Sequence, residues 1–167
     1  RADLKRYLLE DVRHYDPALK RWSLFAAIKY PTLAWTRKLR VAEYWINRSS
    51  GTLSKAVAIV YRMRARSAGM KLGFSIPPNV FGPGLRLPHW GTIVVNDRAR
   101  IGARASVHPG TVIGVKNGEV PEAGDDVYFG PGCKVIGGVV LGNQVRIGAN
   151  AVVTKSAPSR SILIGIP

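Results

Sequence analysis

Apolar residues in the first part of the chain recur at the spacing of α-helices. The pattern predicts helices over residues 18–30, 33–48 and 52–67. Asp16 followed by Pro17 has the form of a helix N-cap and first helical residue, and Pro31 is expected to end the first of these helices. Gly69 and Gly73 close the helical part. We therefore expect a basic α-helical region over residues 1–72 and a second domain over residues 73–167.

Beyond residue 76 the helical spacing gives way to a six-residue period. Aliphatic or aromatic anchors recur at Val95, Ile101, Val107, Ile113, Ala123, Phe129, Val135, Leu141, Ile147 and Val153. A small or branched residue stands four positions after the anchors, at Ala99, Ala105, Thr111, Val127, Cys133, Val139, Val145, Ala151 and Ala157. Such hexapeptides form short strands and turns, and three of them close one coil of an all-β parallel β-helix. Glycines that follow the anchors, such as Gly102, are expected to adopt a positive φ in the turns.

The six-residue frame slips once, between Ile113 and Ala123, which are ten residues apart. The extra residues predict a loop over 115–122 that projects from the β-helix. Repeat folds place such insertions on one face, which is often the binding face. A tolerated surface loop is the alternative.

Charge is unevenly distributed along the chain. The net charge is +15, and residues 1–75 hold 16 Lys and Arg against 5 Asp and Glu, so +11 of it lies there. A basic surface attracts nucleic acid, anionic lipid or anionic ligands, although solvated helix faces explain it equally well. No recognisable nucleic-acid module is present, so nucleic acid is not an expected partner. No apolar run approaches a bilayer span, and one cysteine, Cys133, excludes an internal disulfide. We expect a cytoplasmic protein whose basic helices are available to the inner membrane surface.

Several segments of the second domain resemble the serine acetyltransferase family, most closely its branch associated with capsule and exopolysaccharide synthesis. The most specific of them is His89-Trp90-Gly91-Thr92-Ile93-Val94. The resemblance is carried by residues 73–78, 82–85, 89–96, 107–114, 147–155 and 164–167. It implies a left-handed β-helix, a homotrimer, and acetyl-CoA bound between neighbouring subunits as the acetyl donor. Among the site residues, it implies that His89 is the catalytic base.

The residues around this histidine suggest the rest of an O-acetyltransferase site. His108 lies about one coil after His89 and is a candidate to bind the acceptor or to assist the base. Ser75 stands where the serine enzymes of the family have an aspartate, and it is a candidate to orient His89. Candidate contacts to acetyl-CoA are Gly114, through its backbone N–H, the small residues Gly130, Gly132 and Ala149, and the cation Lys155. No metal-ligand spacing is present.

The loop after Ile113 carries the residues that bear on the identity of the acceptor. Where the serine enzymes carry an Arg-His pair followed by proline, this chain reads Glu119-Val120-Pro121-Glu122. A glutamate repels the carboxylate of serine, whereas it can accept hydrogen bonds from sugar hydroxyls. We therefore expect a sugar or polysaccharide precursor as the acceptor, with L-serine as the alternative. A non-catalytic β-helix scaffold that binds a membrane or nucleic acid through its basic helices is the alternative outside the enzymes.

Overall fold

Four helices precede the β-helix in this computed structural model, which describes residues 2–165, with side chains from residue 4. The helices are α1 (Ala2–Tyr15), α2 (Leu24–Lys29), α3 (Pro31–Arg48) and α4 (Thr52–Leu72). Helix α1 lies outside the three helices that the sequence predicted. The helix predicted over residues 18–30 is reduced to α2, which begins only after its N-cap, Ser23. Asp16 does not begin a helix, because its carboxylate accepts a hydrogen bond from the Ala18 N–H (3.0 Å) within a turn. Pro31 begins α3 rather than ending α2. Residues 166–167 of the family-like segments lie outside the described part.

Short parallel strands form the rest of the molecule. They are β1 (Phe74–Ser75), β2 (Ile93–Val95), β3 (Arg100–Ile101), β4 (Ser106–Val107), β5 (Val112–Gly114), β6 (Glu122–Ala123), β7 (Tyr128–Phe129), β8 (Lys134–Ile136), β9 (Val140–Leu141), β10 (Arg146–Ile147), β11 (Val152–Val153) and β12 (Ile162–Leu163). They assemble into three sheets. The first sheet contains β1, β2, β5, β8 and β11, the second β3, β6 and β9, and the third β4, β7, β10 and β12. The chain visits the three sheets in turn, which is the predicted parallel β-helix.

Anchors stack directly on anchors in successive coils. Val95 pairs with Ile113, Ile113 with Val135 and Val135 with Val153. All of the predicted anchors are buried except Ala123, which is half-buried. The small positions are buried as well, with Ala157 half-buried at the far end. The six-residue period therefore predicted correctly which residues form the core of the β-helix.

The predicted insertion is a tight β-hairpin. Val94 pairs with Val112 eighteen residues later, whereas Val112 pairs with Lys134 twenty-two residues later, so one coil carries four extra residues. Lys116 and Glu119 exchange two backbone hydrogen bonds of 3.0 Å. Asn117 and Gly118 between them have φ values of 52° and 81°, as a two-residue type I′ turn requires.

The glycines that follow the anchors do not have the positive φ that we expected of them. The left-handed positions lie three residues after the anchors instead, for example at Arg104 (φ 57°) and Asp126 (φ 58°). Glycine is needed after the anchor because the next coil leaves no space for a side chain. A Cβ at Gly102 would lie 2.6 Å from the carbonyl carbon of Gly124, and one at Gly130 would lie 2.9 Å from that of Gly148. Coil spacing, rather than turn conformation, selects these glycines.

A buried arginine joins the helices to the first coil. Arg40 of α3 donates to Asp11 (2.9 Å) and Glu43 (3.0 Å), and to the carbonyl oxygens of Phe81 (2.9 Å) and Gly82 (2.6 Å). Asp11 also accepts from the backbone N–H of Gly84 at 2.8 Å. The two carboxylates hold the pKa of Arg40 above its ordinary value despite its burial. The polar backbone of residues 81–85 is thus satisfied by charged side chains from α1 and α3.

Replacing Arg40 by Met should lower the free energy of unfolding by about 3–5 kcal/mol, because two buried carboxylates and two carbonyl groups lose their partner. Arg104→Gln is the matched control. Arg104 pairs with Asp126 at 2.7 Å, but both side chains are exposed, so its loss should cost less than about 1 kcal/mol. Urea titration followed by circular dichroism measures both. Equal effects of the two substitutions would show that the buried network does not hold the helices to the β-helix.

Candidate active site

The turns that lead from the third sheet to the first form one continuous corner along the β-helix. We define the histidine corner as residues 87–92, 108–111, 130–133 and 148–151. Backbone hydrogen bonds connect its levels, from Gly110 N to Thr92 O (2.6 Å), from Gly132 N to Pro109 O (2.9 Å) and from Asn150 N to Pro131 O (2.7 Å). The same turn is repeated in each coil, so side chains that leave it form a row.

The two candidate histidines lie next to each other in this row. Their ring centroids are 6.2 Å apart and the rings are tilted by 53°. His89 is exposed, and within residues 2–165 its ring makes no recorded hydrogen bond. Ser75 is exposed on β1, where it pairs with Val94, and the structure records no hydrogen bond between Ser75 and His89. A role for Ser75 in orienting His89 stays a prediction.

His108 is the more enclosed of the two. Its Nε2 is buried and has no hydrogen-bond partner among the described residues. Burial, together with the electrostatic effect of the neighbouring His89 and Arg86 side chains, lowers the pKa of His108. The imidazole is therefore neutral near pH 7 and keeps one nitrogen without a hydrogen bond among the described residues.

Tyr128 and Arg146 continue the row, and sequence reasoning missed both. The Tyr128 ring lies 5.0 Å from the His108 ring, and the Arg146 guanidinium lies 5.1 Å from the centroid of Tyr128. Each residue precedes an anchor by one position and pairs with the other in the third sheet. The six-residue period contained this signal, because residues one position before an anchor point outward and stack with their counterparts in the next coil.

The predicted acetyl-CoA contacts divide between two corners. Gly130, Gly132 and Ala149 lie in the histidine corner. Lys134 also reaches it, where its Nζ donates to the carbonyl oxygens of Gly110 (2.5 Å) and Gly132 (2.9 Å). Gly114 and Lys155 lie instead where the chain leaves the first sheet for the second. Within one chain the structure therefore does not bring Gly114 or Lys155 to the histidines.

The loop residues Glu119 and Glu122 are also remote from the histidines within one chain. Glu119 belongs to the hairpin after β5, and Glu122 begins β6 in the second sheet. Glu122 lines a groove of about 1110 Å³, together with Tyr7, Tyr44 and Arg100. This groove lies between the helices and the second sheet and contains neither histidine. We place the candidate active site at the histidine corner because the proton-transfer groups are there.

Comparisons with known proteins agree with this architecture. The bacterial transferase hexapeptide family (six repeats) matches residues 124–155. A serine acetyltransferase of Helicobacter pylori is 30% identical over 165 residues, which cover 95% of this chain and 91% of the relative. One of Mycobacterium tuberculosis is 30% identical over 160 residues, which cover 93% of this chain and 66% of the relative. The chain spans about half the length of the staphylococcal relatives, at 46% and 47%.

Solved structures give the same result. A serine acetyltransferase in complex with CoA superposes with a TM-score of 0.72 at 26% identity, covering 99% of this chain and 67% of that one. The serine acetyltransferase of Brucella abortus gives 0.72 at 26% identity, covering 99% and 66%. The soybean apoenzyme shares the fold, with a TM-score of 0.80 at 22% identity, over 100% and 68%. Because the H. pylori relative is matched over nearly its whole length, the chain belongs to the serine acetyltransferase family of hexapeptide-repeat transferases.

Proposed function

We propose that this protein transfers an acetyl group from acetyl-CoA to a hydroxyl acceptor, with His89 as the general base. The observation that carries the proposal is the pair of histidines on adjacent coils, 6.2 Å apart at one corner. His89 is exposed to an incoming acceptor, whereas the neutral His108 beside it presents a buried, unpaired nitrogen. His89, the proposed proton acceptor, and His108, a second imidazole, thus lie side by side at the same corner.

In this mechanism His89 takes the proton of the acceptor hydroxyl while the hydroxyl oxygen attacks the carbonyl carbon of the thioester. The tetrahedral intermediate collapses by breaking the carbon–sulfur bond, and the proton on His89 passes to the departing CoA thiolate. In this proposal a rotation of the His108 ring exposes its unpaired Nε2, which donates a hydrogen bond to the oxygen of the acceptor hydroxyl. Because His108 stays neutral, it places no second positive charge beside the imidazolium that forms on His89.

Acetyl-CoA would lie along the histidine corner. Gly130, Gly132 and Ala149 leave that path free of large side chains, and a related serine acetyltransferase binds CoA. Lys155, Glu119 and Glu122 lie on other parts of the surface, so they can take part only if a neighbouring subunit contributes them. We therefore propose the homotrimer that the family resemblance implies, with each site shared between two subunits.

L-serine is the acceptor that the comparisons favour. The curated relatives are serine acetyltransferases, and a Neisseria gonorrhoeae structure with the same fold holds serine. A sugar hydroxyl of capsule or exopolysaccharide synthesis is the second candidate. It is favoured by Glu119 and Val120, which stand where the serine enzymes have an Arg-His pair, and by Ser75 in the place of an aspartate.

His89→Ala should lower kcat by about 10²–10⁴-fold, which is the usual contribution of a general base. Affinity for CoA should change little, since the base acts on the acceptor. Thiol release gives kcat, and calorimetry gives the affinity for CoA. His14→Gln is the control, because His14 contacts Gly84 O far from this corner and its loss should leave kcat near the wild-type value. If His89→Ala keeps more than about a third of the wild-type kcat, another group is the base.

The acceptor can be identified by comparing kcat/KM for L-serine with values for nucleotide sugars and oligosaccharides, again by thiol release. If L-serine is the acceptor, its kcat/KM should reach about 10⁴ M⁻¹s⁻¹, the ordinary range for an enzyme with its own substrate. A lower value for serine together with such a value for a sugar would identify a saccharide acceptor. An acetyl-CoA turnover that no hydroxyl compound stimulates, or no CoA binding at millimolar concentration, would support the scaffold alternative.

A further inference from the structure

Helix α4 carries an apolar stripe that faces away from the molecule. Its buried residues, Ala58, Ala65 and Gly69, pack inward. The opposite side presents an outer stripe made of Leu53, Ala56, Val60, Met63, Ser67 and Met70, all of them exposed and all except Ser67 apolar. These positions alternate between steps of three and four residues, which keeps them in line along one side of a helix. Leu53 is 80% exposed and Met63 is 65% exposed, so neither side chain has a partner within the described chain.

Cations border the outer stripe on both sides. With 100° between successive residues, Lys55, Arg62 and Arg66 lie along one border, and Arg64 and Lys71 lie along the other. All five of these side chains are exposed. The 21 residues of α4 include no Asp or Glu, and residues 44–96 hold seven Lys and Arg without a single carboxylate. The surface around the stripe is therefore uniformly positive.

We propose that the outer stripe of α4 docks onto an anionic lipid bilayer, with the helix lying in the plane of the interface. An apolar face with Lys and Arg along both edges is the arrangement by which helices insert shallowly among lipid headgroups. The apolar side chains enter the acyl boundary while the bordering cations meet lipid phosphates. Over about 25 Å, from Leu53 to Met70, the stripe provides a continuous contact.

Charge favours this occupant over a second copy of the chain. Two α4 helices packed stripe to stripe would bring ten uncompensated cations together, five from each copy. A bilayer that contains acidic lipids supplies the opposite charge over the whole face. Among the described residues no helix is both long and apolar enough to cross a membrane, so the contact is peripheral.

Sedimentation with lipid vesicles tests the proposal independently of catalysis. The protein should bind vesicles of phosphatidylcholine and phosphatidylglycerol at a ratio of 3:1, and binding should weaken as salt rises. Vesicles of phosphatidylcholine alone should bind it far less. Val60→Asp combined with Met63→Asp should weaken binding more than about tenfold. Arg62→Gln combined with Arg66→Gln keeps the apolar side chains and should weaken it about fivefold for each cation removed.

Two controls decide what a loss of binding means. Lys5→Gln combined with Arg13→Gln removes the same charge from exposed positions of α1 and should have little effect. Val140→Asp adds an acid at an exposed apolar position of the β-helix and should also have little effect. No binding of the wild type to acidic vesicles, or an equal loss in the controls, would overturn the proposal. So would a change in subunit number, measured by light scattering, on substitution of Val60 and Met63, because a second copy would then cover the stripe.

Discussion

Register between successive coils is the constraint on which the rest of this structure depends. Each strand is only two or three residues long, so no strand is stable without the coils above and below it. Parallel pairing keeps anchor on anchor, as in the series Val95, Ile113, Val135 and Val153. The same register repeats every turn at the same place. The histidine corner is a consequence of this repetition, and the row from His89 through His108 to Tyr128 follows from it.

A stack of coils has two ends, and at the first coil the backbone needs partners that another coil would otherwise provide. Here α1 and α3 provide them through Arg40, Asp11 and Glu43. Tyr15 adds a hydrogen bond to the backbone of Leu87, in the coil that holds His89. The helical region therefore stabilises the segment from which the proposed base projects, at the same time as it presents α4 on the outside.

The sequence predicted the β-helix well because a six-residue period is repeated many times, so each anchor supports the assignment of the others. It predicted the helical region less well. The short α2 depends on a cap at Ser23, and proline fits equally after a helix or at its start, so Pro31 was assigned to the wrong role. The glycines after the anchors were recognised, but their cause is contact between coils, which only the three-dimensional stack reveals.

The candidate site could be predicted only in part. His89 was found through the family resemblance and His108 through its spacing of about one coil from His89, and the structure places the two rings next to each other. Gly114 and Lys155 were assigned to the same site from their chemistry, and Glu119 and Glu122 from the family resemblance. Within one chain, all four lie on other parts of the surface. A single sequence does not say which corner of one subunit meets which face of another. Tyr128 and Arg146 were missed because neither residue belongs to the family pattern that drew attention to the histidines.

The acetyl-transfer site that we propose is assembled at the histidine corner by stacked coils. A crystal structure with an acetyl-CoA analogue, in which a methylene group replaces the thioester sulfur, tests it most directly. We predict that the acetyl carbonyl lies beside His89 and His108, within about 5 Å of the His89 ring, which leaves room for one hydroxyl oxygen between them. An acetyl group bound in the groove between the helices and the second sheet, away from both histidines, would contradict the account.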